Sequence, residues 1–133
     1  MAHTLKLVAL GAVAFMVLDG LWLGVLMKNF YRHQLAPLVR VAEGGGMAPH
    51  WPAAFVVYVL LGAGIALFVM PRAPTVPLAA AHGALFGLVV YGVYDFTNYS
   101  TLRQWPFLLV MVDAAWGTVA SAACAVAVHV LDR

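Results

Sequence analysis

Charge is what this chain has least of: charged residues make up 9% of its 133 positions, seven Lys and Arg against five Asp and Glu. A water-soluble domain of this length needs a far more polar surface, so the shortage excludes a small soluble fold. The basic residues are scattered and the net charge is only +2, which argues against a nucleic-acid partner. Cysteine occurs once, at Cys124, so neither an internal disulfide nor a Cys/His metal spacing is available. Deep in the fourth apolar run, it reads as a small packing residue. Sustained period-two alternation is missing, which excludes a membrane β-barrel. No Ser or Cys nucleophile stands next to a His, which leans against catalysis.

What the chain has in excess is apolar length. Hydrophobic residues make up 65% and the mean hydropathy is +0.95, so the fold class is all-α. A polytopic membrane protein is predicted, a four-transmembrane-helix bundle in a single domain, residues 1–133. Its spans are placed at about 5–27, 52–70, 77–97 and 106–131. The first gives about 35 Å of helix, enough to cross the hydrocarbon with some tilt. It starts like a signal peptide, with Lys6 ahead of apolar residues. It then continues through Asp19 and Trp22 to Met27 without a small-residue cleavage site, and so reads as a retained span. Trp51-Pro52 and Trp105-Pro106 open the second and fourth helices, where proline suits the first turn.

The connection 28–50 is longer than a turn requires. Phe30, Tyr31, Leu35, Leu38 and Val39 are spaced for a short interfacial helix broken near Pro37. Long loops are usually functional or disordered; here the expectation is a lid, with Tyr31 and Leu35 shielded. Gly44-Gly45-Gly46 follows no strand and precedes no phosphate-binding Lys or Ser, so it reads as a hinge or slack linker.

Four spans put the 28–50 connection and the 99–104 turn on one face, the loop face, and both termini on the other. Counting along each helix, Asp19, Asp95 and Asp113 all lie about 12 to 14 Å below the loop face. All four tryptophans (Trp22, Trp51, Trp105, Trp116) and all five tyrosines fall in the same half. A one-sided interfacial belt accounts for Trp51, Trp105, Tyr31 and Tyr99. It does not account for Trp22, Trp116, Tyr58, Tyr91 and Tyr94, which lie deeper, where an indole or phenol needs a hydrogen-bond partner. Ala79, Gly83, Gly87, Tyr91 and Asp95 recur every four residues, as do Asp113, Gly117, Ser121 and Ala125. Small residues line helix contacts, so Asp95 and Asp113 are expected on the faces that pack together. The direction of Asp19 stays open.

Taken in order, several pieces cover nearly the whole chain. They are Asp19-Gly20-Leu21-Trp22-Leu23-Gly24, Phe30-Tyr31, Tyr58, Phe68 to Pro71, Tyr91-Gly92-Val93-Tyr94-Asp95-Phe96-Thr97-Asn98, Trp105-Pro106 and Asp113-Ala114-Ala115-Trp116-Gly117. Their order resembles a bacterial family of small membrane proteins, domain-of-unknown-function family 2177. The Tyr-Asp-x-Thr-Asn core and the final Asp-x-x-Trp-Gly are its most specific pieces. The resemblance implies a four-helix bundle and marks these positions; it implies no reaction.

An intramembrane carboxylate is a functional-site hypothesis by default. The candidate ligand-binding residues are therefore Asp19, Trp22, Tyr58, Tyr91, Tyr94, Asp95, Thr97, Asn98, Asp113 and Trp116, with Tyr31 and Leu35 as lid and no catalytic or metal residue assigned. Three chemistries suit them. One is a lipid-binding or structural pocket in an accessory protein; another is a proton-coupled transport site for a small cationic or hydrophobic ligand. The third is a lipid-modifying enzyme with paired carboxylates as acid and base. His33 and His50 lack ligand spacing, and His82 and His129 lie towards the opposite face. No Lys or Arg reaches the depth of the aspartates, so at least one of them is expected to hold a proton at neutral pH, with Asp95 and Asp113 sharing one. Expected partners are membrane lipid and a small cationic or hydrophobic ligand; a homodimer or a membrane-complex partner stays open, and the sequence names no cofactor. The bacterial inner membrane is the expected location. Four of the seven Lys and Arg, namely Lys28, Arg32, Arg40 and Arg103, lie at the loop face, which leans it towards the cytoplasm.

Overall fold

The computed structural model describes every residue, Met1–Arg133. Helix α1 (Ala2–Leu21) runs into a π-helical stretch, Trp22–Leu26, and α2 (Lys28–Gln34) follows after a break at Met27. Beyond the 35–50 loop, α3 (Trp51–Gly64) is prolonged by a second π-helical stretch, Ile65–Val69, and a 3-10 turn, Met70–Arg72. Then come α4 (Val76–Thr101) and α5 (Phe107–Leu131). With their extensions, four helices of 22 to 26 residues are long and apolar enough to cross a bilayer. Helix α4 continues a turn beyond residue 97, where hydropathy alone stops it. The Ser100 and Thr101 hydroxyls donate back to the Thr97 carbonyl at 2.8 and 2.9 Å, so their polarity is absorbed within the helix.

Small residues decide which helices touch. Helices α4 and α5 form the closest pair, α1 packs along α3, and α1 also meets α5, joining the two pairs. Gly87 is one hinge of this packing: a β-carbon there runs into the Gly117 carbonyl of α5 and the Ser121 hydroxyl. Gly11 and Gly62 let α1 and α3 approach just as closely, a β-carbon on Gly11 lying 2.9 Å from Gly62 Cα. Packed side chains, among them Phe15, Ile65, Val69, Cys124 and Val128, fill the half of the bundle nearer the termini. Cys124 is buried there, its Sγ 3.5 Å from the Gly11 carbonyl. Both termini meet at that end, where Lys6 Nζ and His3 Nε2 each lie 2.9 Å from the Asp132 carboxylate. Those hydrogen bonds, that of Lys6 foremost, hold the Asp132 carboxyl below its ordinary range.

The loop-face half is built differently. Helix α4 meets the α3 segment mainly through the Ile65–Arg72 extension, so the two diverge towards the loop face and leave a space between them. The 28–50 connection folds over that space. Its triple glycine is not the slack linker predicted, for Gly45 takes a left-handed φ of 77° and forms the tip of a tight hairpin. Val41 and Met47 pair across it, Ala48 N donates to Arg40 O at 2.8 Å and Ala42 N to Gly46 O at 2.8 Å. Arg32 Nη1 secures the tip through Gly45 O, also at 2.8 Å. The composition suggested freedom, but the backbone hydrogen bonds of the hairpin remove it.

Candidate functional site

Every span contributes to one constellation under the 28–50 connection. On α1 the buried positions are Leu7, Gly11, Phe15 and Asp19, one every four residues, which settles the direction of Asp19: inward. On α4 they are Ala79, Gly83, Gly87 and Asp95, the small-residue stripe ending in a carboxylate. Asp113 comes from α5, a turn above the buried Gly117 and about two turns above Ser121. The π-helical stretch after Leu21 widens the last turn of α1 at Trp22, and single π turns of this kind recur at functional sites. Here the widened turn presents Trp22 face to face with Trp116, ring centroids 4.2 Å apart and planes within 1° of parallel.

Hydrogen bonds tie the stacked rings to two of the aspartates. Trp116 Nε1 donates to Asp19 Oδ1 at 2.9 Å. Trp22 Nε1 donates to the Tyr31 hydroxyl at 3.0 Å, and that hydroxyl donates to Asp113 Oδ1 at 2.5 Å, a short bond of the carboxylate-assisted kind. Tyr31 is 5% exposed, so the phenol of α2 is plugged into the bundle. Burial first, and the adjacent Asp113 carboxyl second, hold the phenol far above the ordinary tyrosine range, so it remains a hydrogen donor. The short helix expected at the interface is therefore bound to the bundle through this phenol.

Asp95 differs from the other two carboxylates. It is fully buried, and neither of its oxygens has a hydrogen-bond donor; the groups facing it are the Asp113 carboxyl and the indole of Trp105. The Trp105 Nε1 is likewise buried and unpaired. Sequence placed Trp105 in an interfacial belt; instead its ring lines the site, edge-on to Tyr94 with centroids 5.8 Å apart.

Under the 28–50 connection lies a chamber of about 440 Å³, of ligand size. Of the predicted site residues, Asp19, Tyr58, Tyr91, Tyr94, Asp113 and Trp116 line it, together with Tyr31 and Leu35, which the sequence suggested as a lid. Trp22 stands behind Trp116, and Asp95 behind Asp113. Thr97 is exposed on α4 and Asn98 lies beside the Tyr94 hydroxyl; neither lines the chamber. Asp19 and Asp113 apart, the whole lining is hydrophobic, 14 of its 16 residues. Leu23, Met47, Leu61, Val90 and Leu109 belong to it, and nothing in the sequence distinguishes them from other apolar residues of the spans.

Two further spaces adjoin the chamber. Towards the loop face, a cavity of about 500 Å³ shares Asp19, Leu23, Met47 and Tyr58 with it and is also lined by Lys28, Arg40 and Trp51. On the lipid side, a groove between α3 and α4 shares Val57, Leu61 and Val90 with it and runs on to Phe86. Val57 and Tyr94 line the chamber and yet are 51% and 55% exposed, so the wall between α3 and α4 is open to the surroundings of the bundle. Phe86 lines the groove with its ring against Gly64, and Leu67 and Phe68 continue it along the α3 extension.

A bundle of four apolar helices around such a chamber defines a small multi-pass membrane protein with an internal polar site. The chain belongs to the DUF2177 family of predicted membrane proteins, whose family model matches residues 4–130. No curated protein and no solved structure matches it.

Proposed function

We propose that this protein binds one membrane lipid in the chamber, as an accessory or carrier protein of the bilayer. The observation that carries the reading is the continuity of the apolar chamber with an outer groove that opens sideways between α3 and α4. A ligand dissolved in the bilayer reaches that opening without crossing water, and an acyl or isoprenoid chain fits walls this uniformly hydrophobic. The 28–50 connection supports the same reading, since its Tyr31 bond to Asp113 holds α2 across part of the loop-face side while the side between α3 and α4 stays open. The location that goes with it is the bacterial inner membrane, with the lid in the cytoplasm.

Native mass spectrometry of the protein released from mild detergent tests this directly. One lipid-sized adduct per chain is expected, and Leu61→Trp, which fills the junction of chamber and groove, should remove it. A bare chain in the wild type, or an adduct indifferent to Leu61→Trp, refutes the assignment.

A second reading, proton-coupled transport, is favoured by one observation: the Asp95 carboxyl is buried without a donor beside that of Asp113. Adjacent carboxylates in a low dielectric share a proton more readily than they hold two charges, and a shared proton is one that can be exchanged for a ligand. Substrate-driven proton movement in liposomes supports transport, whereas lipid binding without any proton flux leaves the accessory role.

A further inference from the structure

We propose that Lys28 and Arg40 form a phosphate-reading mouth to the chamber, so that the bound lipid carries a phosphate headgroup and comes from the loop-face leaflet. This rests on the lipid-binding reading above and adds the headgroup class and the leaflet. Both residues line the upper cavity, which continues into the chamber past Leu23, Met47 and Tyr58. Neither has a hydrogen bond or an ion pair; the ion pairs of the protein are those of Asp132 at the other end. Arg32, in contrast, is occupied by the Gly45 carbonyl.

Position is fixed as well as charge. Arg40 sits at the base of the hairpin, its carbonyl held by Ala48 N, so its backbone belongs to an ordered segment. Lys28 begins α2 directly after the π-helical stretch. The two cations therefore approach one cavity from separate, ordered segments. A phosphate, with several anionic oxygens, satisfies a point-like ammonium and a forked guanidinium together. The one acid lining this cavity is Asp19. It lies nine residues deeper than Lys28 along the chain, about 13 Å, and already accepts from Trp116. A cationic headgroup at the mouth meets two like charges, which argues against it.

The depth of the tail site agrees. On α4 the groove reaches down to Phe86, fifteen residues below the loop-face end at Thr101, or about 22 Å along the helix, near the middle of that span, and on α3 it runs on to Leu67 and Phe68. The middle of a span is the bilayer midplane, which is as far as the chain of a lipid in one leaflet extends. A headgroup held by Lys28 and Arg40 thus places its tail where the groove runs.

Binding of single-chain probes to the full-length protein in maltoside micelles, followed by tryptophan fluorescence, tests the mouth. Dodecyl phosphate is expected to bind about tenfold or more tighter than dodecanol. Lys28→Gln with Arg40→Gln should erase that preference while dodecanol binding stays unchanged. Arg103→Gln, a loop-face cation that lines neither cavity, should preserve it. Equal binding of dodecyl phosphate and dodecanol, tighter binding of dodecyltrimethylammonium, or equal loss in Arg103→Gln overturns the phosphate mouth while leaving the chamber a lipid site. Inorganic phosphate that binds as tightly as dodecyl phosphate overturns the lipid source. If no tailed probe binds, the lipid-binding reading falls too, an outcome distinct from all the others.

Discussion

Replacing Tyr31 with Phe removes one oxygen from the structure and should unlatch the lid. That hydroxyl accepts from Trp22 Nε1 at 3.0 Å and donates to Asp113 Oδ1 at 2.5 Å, and the ring remains to pack edge-on against Phe30 at 5.5 Å. Hydrogen bonds involving a charged partner contribute about 1.5 to 3 kcal/mol, and here the substitution also leaves a half-buried indole N–H and a carboxylate oxygen short of a partner. About 2 kcal/mol is the reasonable central value, which at about 1.4 kcal/mol per factor of ten is about a thirtyfold larger opening constant for the lid. Hydrogen–deuterium exchange in detergent reads this out locally, because amides of a segment that opens by itself exchange according to its own opening free energy. Amides of α2 should exchange about thirtyfold faster in Tyr31→Phe, with those of α4 and α5 near Gly87 and Gly117 unchanged. Unchanged exchange in α2 shows that the latch does not hold the lid. Equal acceleration throughout α5 shows that the hydroxyl supports the whole bundle, which equally refutes a local latch. Asp113→Asn keeps an acceptor for Tyr31 and should produce a smaller acceleration than Tyr31→Phe.

Three other expectations follow from the geometry. Gly87→Ala forces a β-carbon onto the Gly117 carbonyl and should cost about 1 to 3 kcal/mol in reversible unfolding from detergent, whereas Gly92→Ala, where a β-carbon meets nothing, should be neutral or stabilising by up to about 1 kcal/mol. The tie between the termini should depend on pH in one direction. Asp132 titrates below its ordinary range because Lys6 and His3 favour its charged form, so the tie is intact above the ordinary carboxylate range and lost as pH falls through the depressed one. Spin labels at Ala2→Cys and Arg133→Cys should show a distance that lengthens only under acid, and a distance constant with pH refutes the tie. If Asp95 and Asp113 share a proton, infrared spectra at neutral pH contain a protonated carboxyl band that Asp95→Asn abolishes; a spectrum of carboxylates alone excludes proton sharing.

Hydropathy and small-residue spacing are properties of a single helix, and what they encode was legible in the chain. Four spans and the Gly83, Gly87 stripe leading to Asp95 follow from counting along the sequence, since helical rise and period convert position into length and face. The helix in the 28–50 connection was legible for a similar reason, with Phe30, Tyr31 and Leu35 at helical spacing. What the tertiary structure alone decided depends on which helices are neighbours. Tyr31 and Asp113 are 82 residues apart, and Trp116 and Asp19 are 97 apart, so no local pattern pairs them. Asp19 points inward because the close approach at Gly11 and Gly62 fixes the rotation of α1, and α3 diverges from α4 because the dense packing lies at the opposite end. Thr97 and Asn98, polar in an apolar run, attracted attention that the helix geometry turns away from the chamber. Lys28 and Arg40 looked like ordinary interfacial cations until the hairpin, closed by backbone hydrogen bonds that composition does not reveal, placed them over one cavity.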